Sequence, residues 1–283
     1  MWHHARVTSR VATGPHGVSE TDVGLAASMS PEILHQLPIL MAIVFLASLL
    51  QGATGFGFGL FAVAALSLLV ELKVSTPLLA LLNLPVIFYV FWRLRKSVVW
   101  SGLAPIVVGL LIGIPFGIFV LVTWPQHLLL RMLGVVLIAS AVRTAWPNDP
   151  GEEQGAERPG SFLGATVSLC VGLCTGALAG AFNVGGPPII AYVYCRPGTK
   201  EQRTATLQAL FAISVVARII VMAAPPASLY RVPLLLTALA CLPASAIGTL
   251  GGYALFRRFP PRALEAFVAV FLFGIGVKQL VWP

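Results

Sequence analysis

The sequence predicts an all-α polytopic membrane protein built from two inverted repeats, each a broken-helix hairpin followed by three transmembrane helices. The first observation behind this prediction is composition: the 283 residues are 58% hydrophobic and only 10% charged, whereas soluble domains carry about 25% charged residues. The second is that glycine-rich segments interrupt two of the apolar runs. The third is that the same pattern of runs and breaks occurs twice along the chain.

The first interruption is the segment Gln51-Gly-Ala-Thr-Gly-Phe-Gly-Phe-Gly59. It separates the apolar runs Pro38–Leu50 and Leu60–Leu72, and neither run reaches the roughly 20 residues that a spanning helix needs. A break at membrane depth is tolerated only where the backbone is buried in protein or lines a wet cavity. We therefore expect this segment to be the tip of a hairpin inside the protein.

Three further spans complete the first half, and the pattern then restarts. The spans are Val74–Trp92, Gly102–Trp124 and Leu128–Ala145. In the second half, the broken element is Phe162–Tyr194, followed by Thr204–Ala224, Pro233–Phe256 and Ala263–Trp282. We predict a disordered amino-terminal tail over residues 1–36, repeat 1 over 37–146, a cytoplasmic linker over 147–160 and repeat 2 over 161–283. Met29 is an alternative start within the tail.

The second interruption, Gly180-Ala-Phe-Asn-Val-Gly-Gly-Pro-Pro188, occupies the position of the first in the other half. Gly52 and Gly57 recur 128 positions later as Gly180 and Gly185. A later glycine and proline pattern recurs at an offset of 135, with Gly113, Gly117 and Pro125 matched by Gly248, Gly252 and Pro260. Two broken helices in corresponding halves are the best sequence indication of a transporter's binding site.

The basic loops give the orientation. Lysine and arginine in short loops favour the cytoplasmic side, which places Arg93–Lys96, Arg196–Arg203 and Arg257–Arg262 inside. The second broken element then enters and leaves from the inside as a hairpin of two short helices, and the first does so from the outside. Each half crosses the membrane an odd number of times, so the two repeats are inverted. The net charge of +8 is explained by orientation, and no nucleic-acid partner is expected.

The two breaks have the chemistry of an anion site. A helix that restarts within the membrane exposes unpaired amide groups and partial positive charge at its N-terminus, where anions bind. We expect the second half to restart at Pro187-Pro188. The candidate substrate-binding residues at the breaks are Gln51, Thr54, Gly55, Gly57, Gly59, Asn183, Gly185 and Gly186. The alternative is that the glycines only permit close helix packing.

Two polar residues of the Thr204–Ala224 span are further candidates. An arginine at a helix centre costs about 2.5–3.5 kcal/mol on insertion scales, so Arg218 either meets an anionic substrate or extends its side chain to the interface. Gln208 either contacts substrate or makes an interhelical hydrogen bond. The ten acidic residues lie in the tail, in loops or near span ends, which disfavours a cation substrate. We find no metalloprotease, phosphate-loop or serine-hydrolase motif and expect no enzyme activity, metal or cofactor.

These two glycine-rich segments, followed by Arg203-Thr-Ala-Thr206 and Arg218, resemble those of the sulfite exporter TauE/SafE family, also called the sulfonate-uptake permeases. The resemblance implies a bacterial inner-membrane carrier of sulfite, sulfonates or related organosulfur anions. Together with the breaks, it predicts alternating access around one anion site. The expected partners are a small anionic substrate and the lipid bilayer, with homo-oligomerisation left open. The alternative is a non-transporting integral membrane protein, either an assembly factor or an intramembrane enzyme.

Overall fold

The computed structural model describes residues 37–53, 57–145, 162–225, 227–255 and 261–282. The predicted tail (1–36) and the predicted linker (147–160) lie outside these residues, as do Thr54 and Gly55. The described part is helical, with α1 Leu37–Ala53, α2 Phe58–Leu66, α3 Leu72–Leu94, α4 Ala104–Thr123, α5 Gln126–Ala145, α6 Phe162–Phe182, α7 Gly186–Tyr194, α8 Lys200–Ala223, α9 Val232–Leu255 and α10 Pro261–Val281. A short 3-10 helix follows α3 at Arg95–Ser97.

The prediction of an all-α polytopic membrane protein is confirmed. Among the described residues, six helices are long and apolar enough to cross a membrane, namely α3, α4, α5, α6, α8 and α9. Their outward faces carry large apolar side chains such as Phe116, Phe119 and Leu239, each about 60% exposed. In a soluble protein such a surface would be a liability, whereas in a bilayer it is the face that contacts lipid.

Both predicted helix breaks are present. After α1 ends at Ala53, α2 begins at Phe58, and Gly57 immediately before it has a φ of 107° that favours glycine. After α6 ends, Asn183 takes a φ of 61°, and α7 begins at Gly186. The helix therefore restarts one residue before the predicted Pro187-Pro188 pair, which occupies its first turn, where proline's missing N–H costs least.

The second broken element is a hairpin, because α7 folds back along α6. The hydroxyl groups of Ser168 and Tyr192 lie 2.5 Å apart, joining the first half of α6 to the end of α7. Its arms differ from the predicted pair of short helices: α6 has 21 residues and α7 has nine. Helix α6 is the long arm because it packs along α4. This contact stabilises helical turns that an arm without a packing partner would not form.

Helices α3 and α8 occupy corresponding places in the two predicted repeats, and they run in opposite directions. The end of α3 meets the start of α8, where Ser97 Oγ donates to Glu201 at 2.7 Å. Further along the pair, Ile87 of α3 packs against Val215 of α8. The start of α8 is fixed by a capping box, in which Thr199 Oγ1 accepts from the Gln202 amide at 3.2 Å. This antiparallel pairing is what inverted repeats require, and the repeat itself stays a prediction.

Glycines bring the first helix of each half against the fourth helix of the other. A Cβ on Gly113 of α4 would lie 2.3 Å from the Leu173 carbonyl oxygen of α6, and one on Gly252 of α9 would lie 2.0 Å from the Leu49 oxygen of α1. Gly113 and Gly252 both belong to the recurring glycine pattern of the sequence, and both make the same kind of backbone contact with another helix. Small residues permit such close backbone contact between membrane helices.

We predict that Gly113→Ala lowers the thermal stability of the detergent-solubilised protein, because the added methyl group meets backbone that no rotamer change can move. Overpacking of this kind costs about 1–3 kcal/mol. Gly251→Ala is the matched control, since a Cβ there has no atom within 4 Å and alanine favours helix. Equal melting temperatures for the two variants would contradict this account of the α4–α6 contact.

Candidate functional site

The two breaks open into one cavity of about 50 Å3 inside the helical bundle. Its wall combines both hairpin tips with the middle of α3 and the second half of α8. The lining residues are Gln51, Gly57, Gly59, Leu60, Asn83, Ile87, Ala179, Asn183, Val184, Gly185, Gly186, Phe211, Ser214 and Arg218. The cavity therefore draws on both halves of the chain, as the sequence predicted for the binding site.

The two helix breaks touch each other at Gly59. A Cβ at this position would lie 2.1 Å from the carbonyl oxygen of Asn183, so the contact requires glycine. The first turn of α2 consequently contacts Asn183, the residue that follows α6. Any larger residue at position 59 would separate the tips and change the shape of the cavity.

Arg218 is a buried cation at the centre of this arrangement, with 3% of its surface exposed. Its Nη1 donates to the carbonyl oxygen of Ala179 at 3.0 Å and to Oδ1 of Asn183. Carbonyl groups at the C-terminal end of a helix, here α6, favour positive charge. The guanidinium thus points at the second break, and the alternative in which it extends to the membrane interface is wrong.

Two donors on residues that line the cavity have no partner within the described structure. They are Nε of Arg218 and Nδ2 of Asn183, both on residues that are at least 95% buried. A buried donor without an acceptor costs about 1–3 kcal/mol, and more when it is charged. Oxygen atoms of an anion in the cavity would accept from both donors and remove this cost.

The backbone holds Asn183 in the position that these contacts need. Its amide donates to Ala179 oxygen at 3.0 Å, which continues the α6 pattern, and its positive φ then turns the chain out of the helix. Asparagine tolerates this conformation better than most residues. The Asn183 side chain contacts Arg218 and also lines the cavity. Its Oδ1 accepts from Arg218, and its Nδ2 has no partner among the described residues.

The N-termini of α2 and α7 add donors and partial positive charge. The residues that precede the two helices, Gly57 and Gly185, have no side chain, so no capping side chain occupies either N-terminus at these positions. One amide of α2 is satisfied internally, since Phe58 N donates to Gln51 Oε1 at 3.0 Å. Gln51 therefore links the end of α1 to the start of α2 at the cavity wall.

The cavity carries no compensating negative charge among its lining residues. The two acidic side chains whose exposure is described, Glu71 and Glu201, are both exposed at helix ends. Tyr230, in the loop after α8, interacts electrostatically with Arg218. Burial raises the pKa of Tyr230 to about 12, while the positive charge of Arg218 lowers this pKa by a smaller amount. The phenol is neutral at physiological pH, so it does not balance the guanidinium.

Most of the predicted site residues meet at the cavity, and some do not. Those that line it are Gln51, Gly57, Gly59, Asn183, Gly185, Gly186 and Arg218. Gln208 is fully buried in α8 and is not part of the wall. Residues 54 and 55 lie outside the described residues, so the roles of Thr54 and Gly55 stay predictions.

Sequence reasoning did not select Asn83, Phe211 and Ser214, which also line the cavity. The sequence did indicate Ser214, because it lies four residues, about one helical turn, before Arg218 and therefore on the same helix face. Asn83 was visible as a polar residue inside a span. Its Oδ1 has no partner among the described residues, so this amide group is available to a bound ligand. Phe211 had no sequence signal at all.

A bundle of membrane-spanning helices with a cationic cavity between two opposed helix breaks defines the class: a multi-pass membrane transporter. The family model described as Sulfite exporter TauE/SafE matches residues 40–279, which is most of the chain. The chain belongs to this family, and the resemblance seen in the sequence is confirmed. Comparison with curated proteins found no match, and comparison with solved structures found none either.

Proposed function

We propose that the protein moves small anions, sulfite or related organosulfur anions, across the cell inner membrane by alternating access at this cavity. The observation that carries the proposal is the Arg218 guanidinium, which lines the cavity, is buried, and has an Nε without a partner among the described residues. A cation at such depth is expensive without a partner. An anionic substrate is the partner that the cavity lacks.

Each lining group has a distinct part in anion binding. Arg218 supplies the charge and a hydrogen bond from Nε, and Asn183 supplies a second hydrogen bond from Nδ2. Charge-assisted hydrogen bonds of this kind are about twice as strong as neutral ones. Ser214 presents a hydroxyl on the same face of α8. The N-termini of α2 and α7 contribute partial positive charge from two sides.

The organisation of the hairpins supports alternating access. Their tips meet at the Gly59–Asn183 contact, and the equivalent helices α3 and α8 run in opposite directions. Inverted repeats give a carrier two related conformations that differ in which side is open, with the substrate site at the repeat interface. Movement of one hairpin tip against the other would open the cavity to one side while the second tip keeps it closed to the other.

Uptake of 35S-labelled sulfite into proteoliposomes under oxygen-free conditions tests the proposal. We expect uptake above that of protein-free liposomes, competition by unlabelled sulfite and no competition by potassium or sodium. Preloading with unlabelled sulfite should produce counterflow of the label, which a carrier shows and an open channel does not. Protein that is folded in the bilayer but gives uptake equal to protein-free liposomes for sulfite and for methanesulfonate would refute the proposal.

A further inference from the structure

We infer that Phe211, together with Leu60 on the opposite hairpin, limits the site to the oxyanion group itself and excludes sulfonates that carry a carbon chain. The inference rests on the proposed function, and it concerns which substrates within that class the cavity admits. It assigns a specificity role to an apolar residue that contributes nothing to charge recognition.

The first argument is the volume of the cavity, which is about 50 Å3. One water molecule needs roughly 10–15 Å3, so the space holds roughly four water molecules. A sulfite ion, with one sulfur and three oxygen atoms, is compact enough for this space. An alkyl sulfonate adds carbon atoms to the same oxyanion group, and those atoms would have to displace part of the wall.

The second argument is the order of side chains along α8. Phe211, Ser214 and Arg218 follow one another at intervals of three and four residues, so they lie on one face of the helix. All three line the cavity. An anion held by Arg218 therefore has the ring of Phe211 as part of the cavity wall, about two helical turns away along α8.

The third argument is that the Phe211 ring is held by its neighbours. It packs against a buried cluster that contains Ile106 and Ile189, and also against a second cluster that contains Ile87 and Val215. A side chain fixed between two clusters does not move aside at low cost, because interiors are close-packed. Leu60, which is 6% exposed at the start of α2, closes the wall from the other half of the chain.

Phe211→Ala and Leu60→Ala both enlarge the cavity and test the inference. We would measure uptake of labelled sulfite and labelled ethanesulfonate into proteoliposomes, with each variant compared to the wild-type protein. One methylene group in an apolar pocket changes selectivity by about 10–200-fold. We expect the ratio of ethanesulfonate to sulfite uptake to rise by about tenfold or more in an enlarged variant.

Gly186→Ala changes the cavity in the opposite direction. A Cβ at Gly186 meets only Ile190 Cδ1, at an ordinary contact distance of 3.5 Å, so the protein tolerates the methyl group and the cavity loses space. We expect weaker sulfite uptake and a lower ethanesulfonate ratio than in wild type. Gly274→Ala, where a Cβ has no atom within 4 Å, is the matched control and should leave both rates unchanged.

The outcomes separate this inference from the proposed function. Wild-type protein that transports sulfite and ethanesulfonate equally well overturns the size limit and leaves the transport proposal intact. Wild-type protein that transports neither anion overturns both. If Phe211 only supports packing, its loss lowers both rates together. The inference is therefore also overturned if the ratio of ethanesulfonate to sulfite uptake is unchanged in the enlarged variants that remain monodisperse. Leu60→Ala alone is sufficient for this test.

Discussion

Replacing Arg218 with alanine is expected to reduce sulfite uptake to the level of protein-free liposomes, while the protein still inserts into the membrane. The substitution removes the charged side chain that lines the cavity, together with a donor that has no partner among the described residues. A hydrogen bond to a charged group contributes about 1.5–3 kcal/mol, and every 1.4 kcal/mol is about tenfold in affinity. Loss of both the charge and its hydrogen bond should exceed a hundredfold.

Two further variants make the Arg218 result specific. Arg218→Lys keeps the charge but loses the planar fork of donors, so we expect uptake between that of wild type and Arg218→Ala. Arg131→Ala removes an arginine that is exposed near the start of α5, and its uptake should equal that of wild type. Full sulfite uptake by monodisperse Arg218→Ala protein would show that the guanidinium does not bind substrate.

The broken helices were predictable because their causes are local. Glycine repeats weaken a helix at the positions where they occur, and an apolar run that is too short to span has to fold back or pair with another. The recurrence of Gly52 and Gly57 at Gly180 and Gly185 added a second, independent indication. Local sequence therefore defined where each hairpin tip lies, to within one residue at the start of α7.

The contacts inside the cavity depend on tertiary structure, and sequence left them open. Whether Arg218 points to the interface or inward is decided by the Ala179 carbonyl group, 39 positions earlier in the chain. Gln208 has the same polar character within the same helix, yet it lies off the cavity wall. Helical periodicity separates these two residues only when the neighbouring helices are known, and the position of α6 provides that information.

Phe211 shows the same limit for an apolar residue. In the sequence it is one of 16 phenylalanines, and its helix has apolar residues on several faces. Its place at the cavity follows from the meeting of α3, α7 and α8, which brings two packed clusters around the ring. Charged and glycine-rich positions are conspicuous in a membrane protein because they are costly there, whereas apolar residues with a specific role resemble all the others.

Asn183→Asp is expected to abolish anion uptake as completely as Arg218→Ala, for the opposite reason. Aspartate has nearly the shape of asparagine and also tolerates the positive φ at this position. Its carboxylate would accept from the same Nη1 group of Arg218 that the amide oxygen now contacts. The result is an internal ion pair that neutralises the cavity and places negative charge where the substrate's oxygens would lie, which like-charge repulsion opposes.

Asn183→Gly separates the effect of the new charge from the loss of the amide group. Glycine accepts the backbone conformation without strain and removes both amide atoms, so the site loses the Oδ1 contact to Arg218 and one hydrogen bond to the charged substrate, about 1.5–3 kcal/mol, while the charge of Arg218 remains. We expect the glycine variant to keep measurable sulfite uptake with a lower apparent affinity, and the aspartate variant to have none. The aspartate variant should also melt at the higher temperature of the two, because the ion pair holds α8 to the end of α6. Equal uptake by the two variants would mean that Asn183 acts through its amide donor alone, and that the charge of Arg218 is not what attracts the substrate.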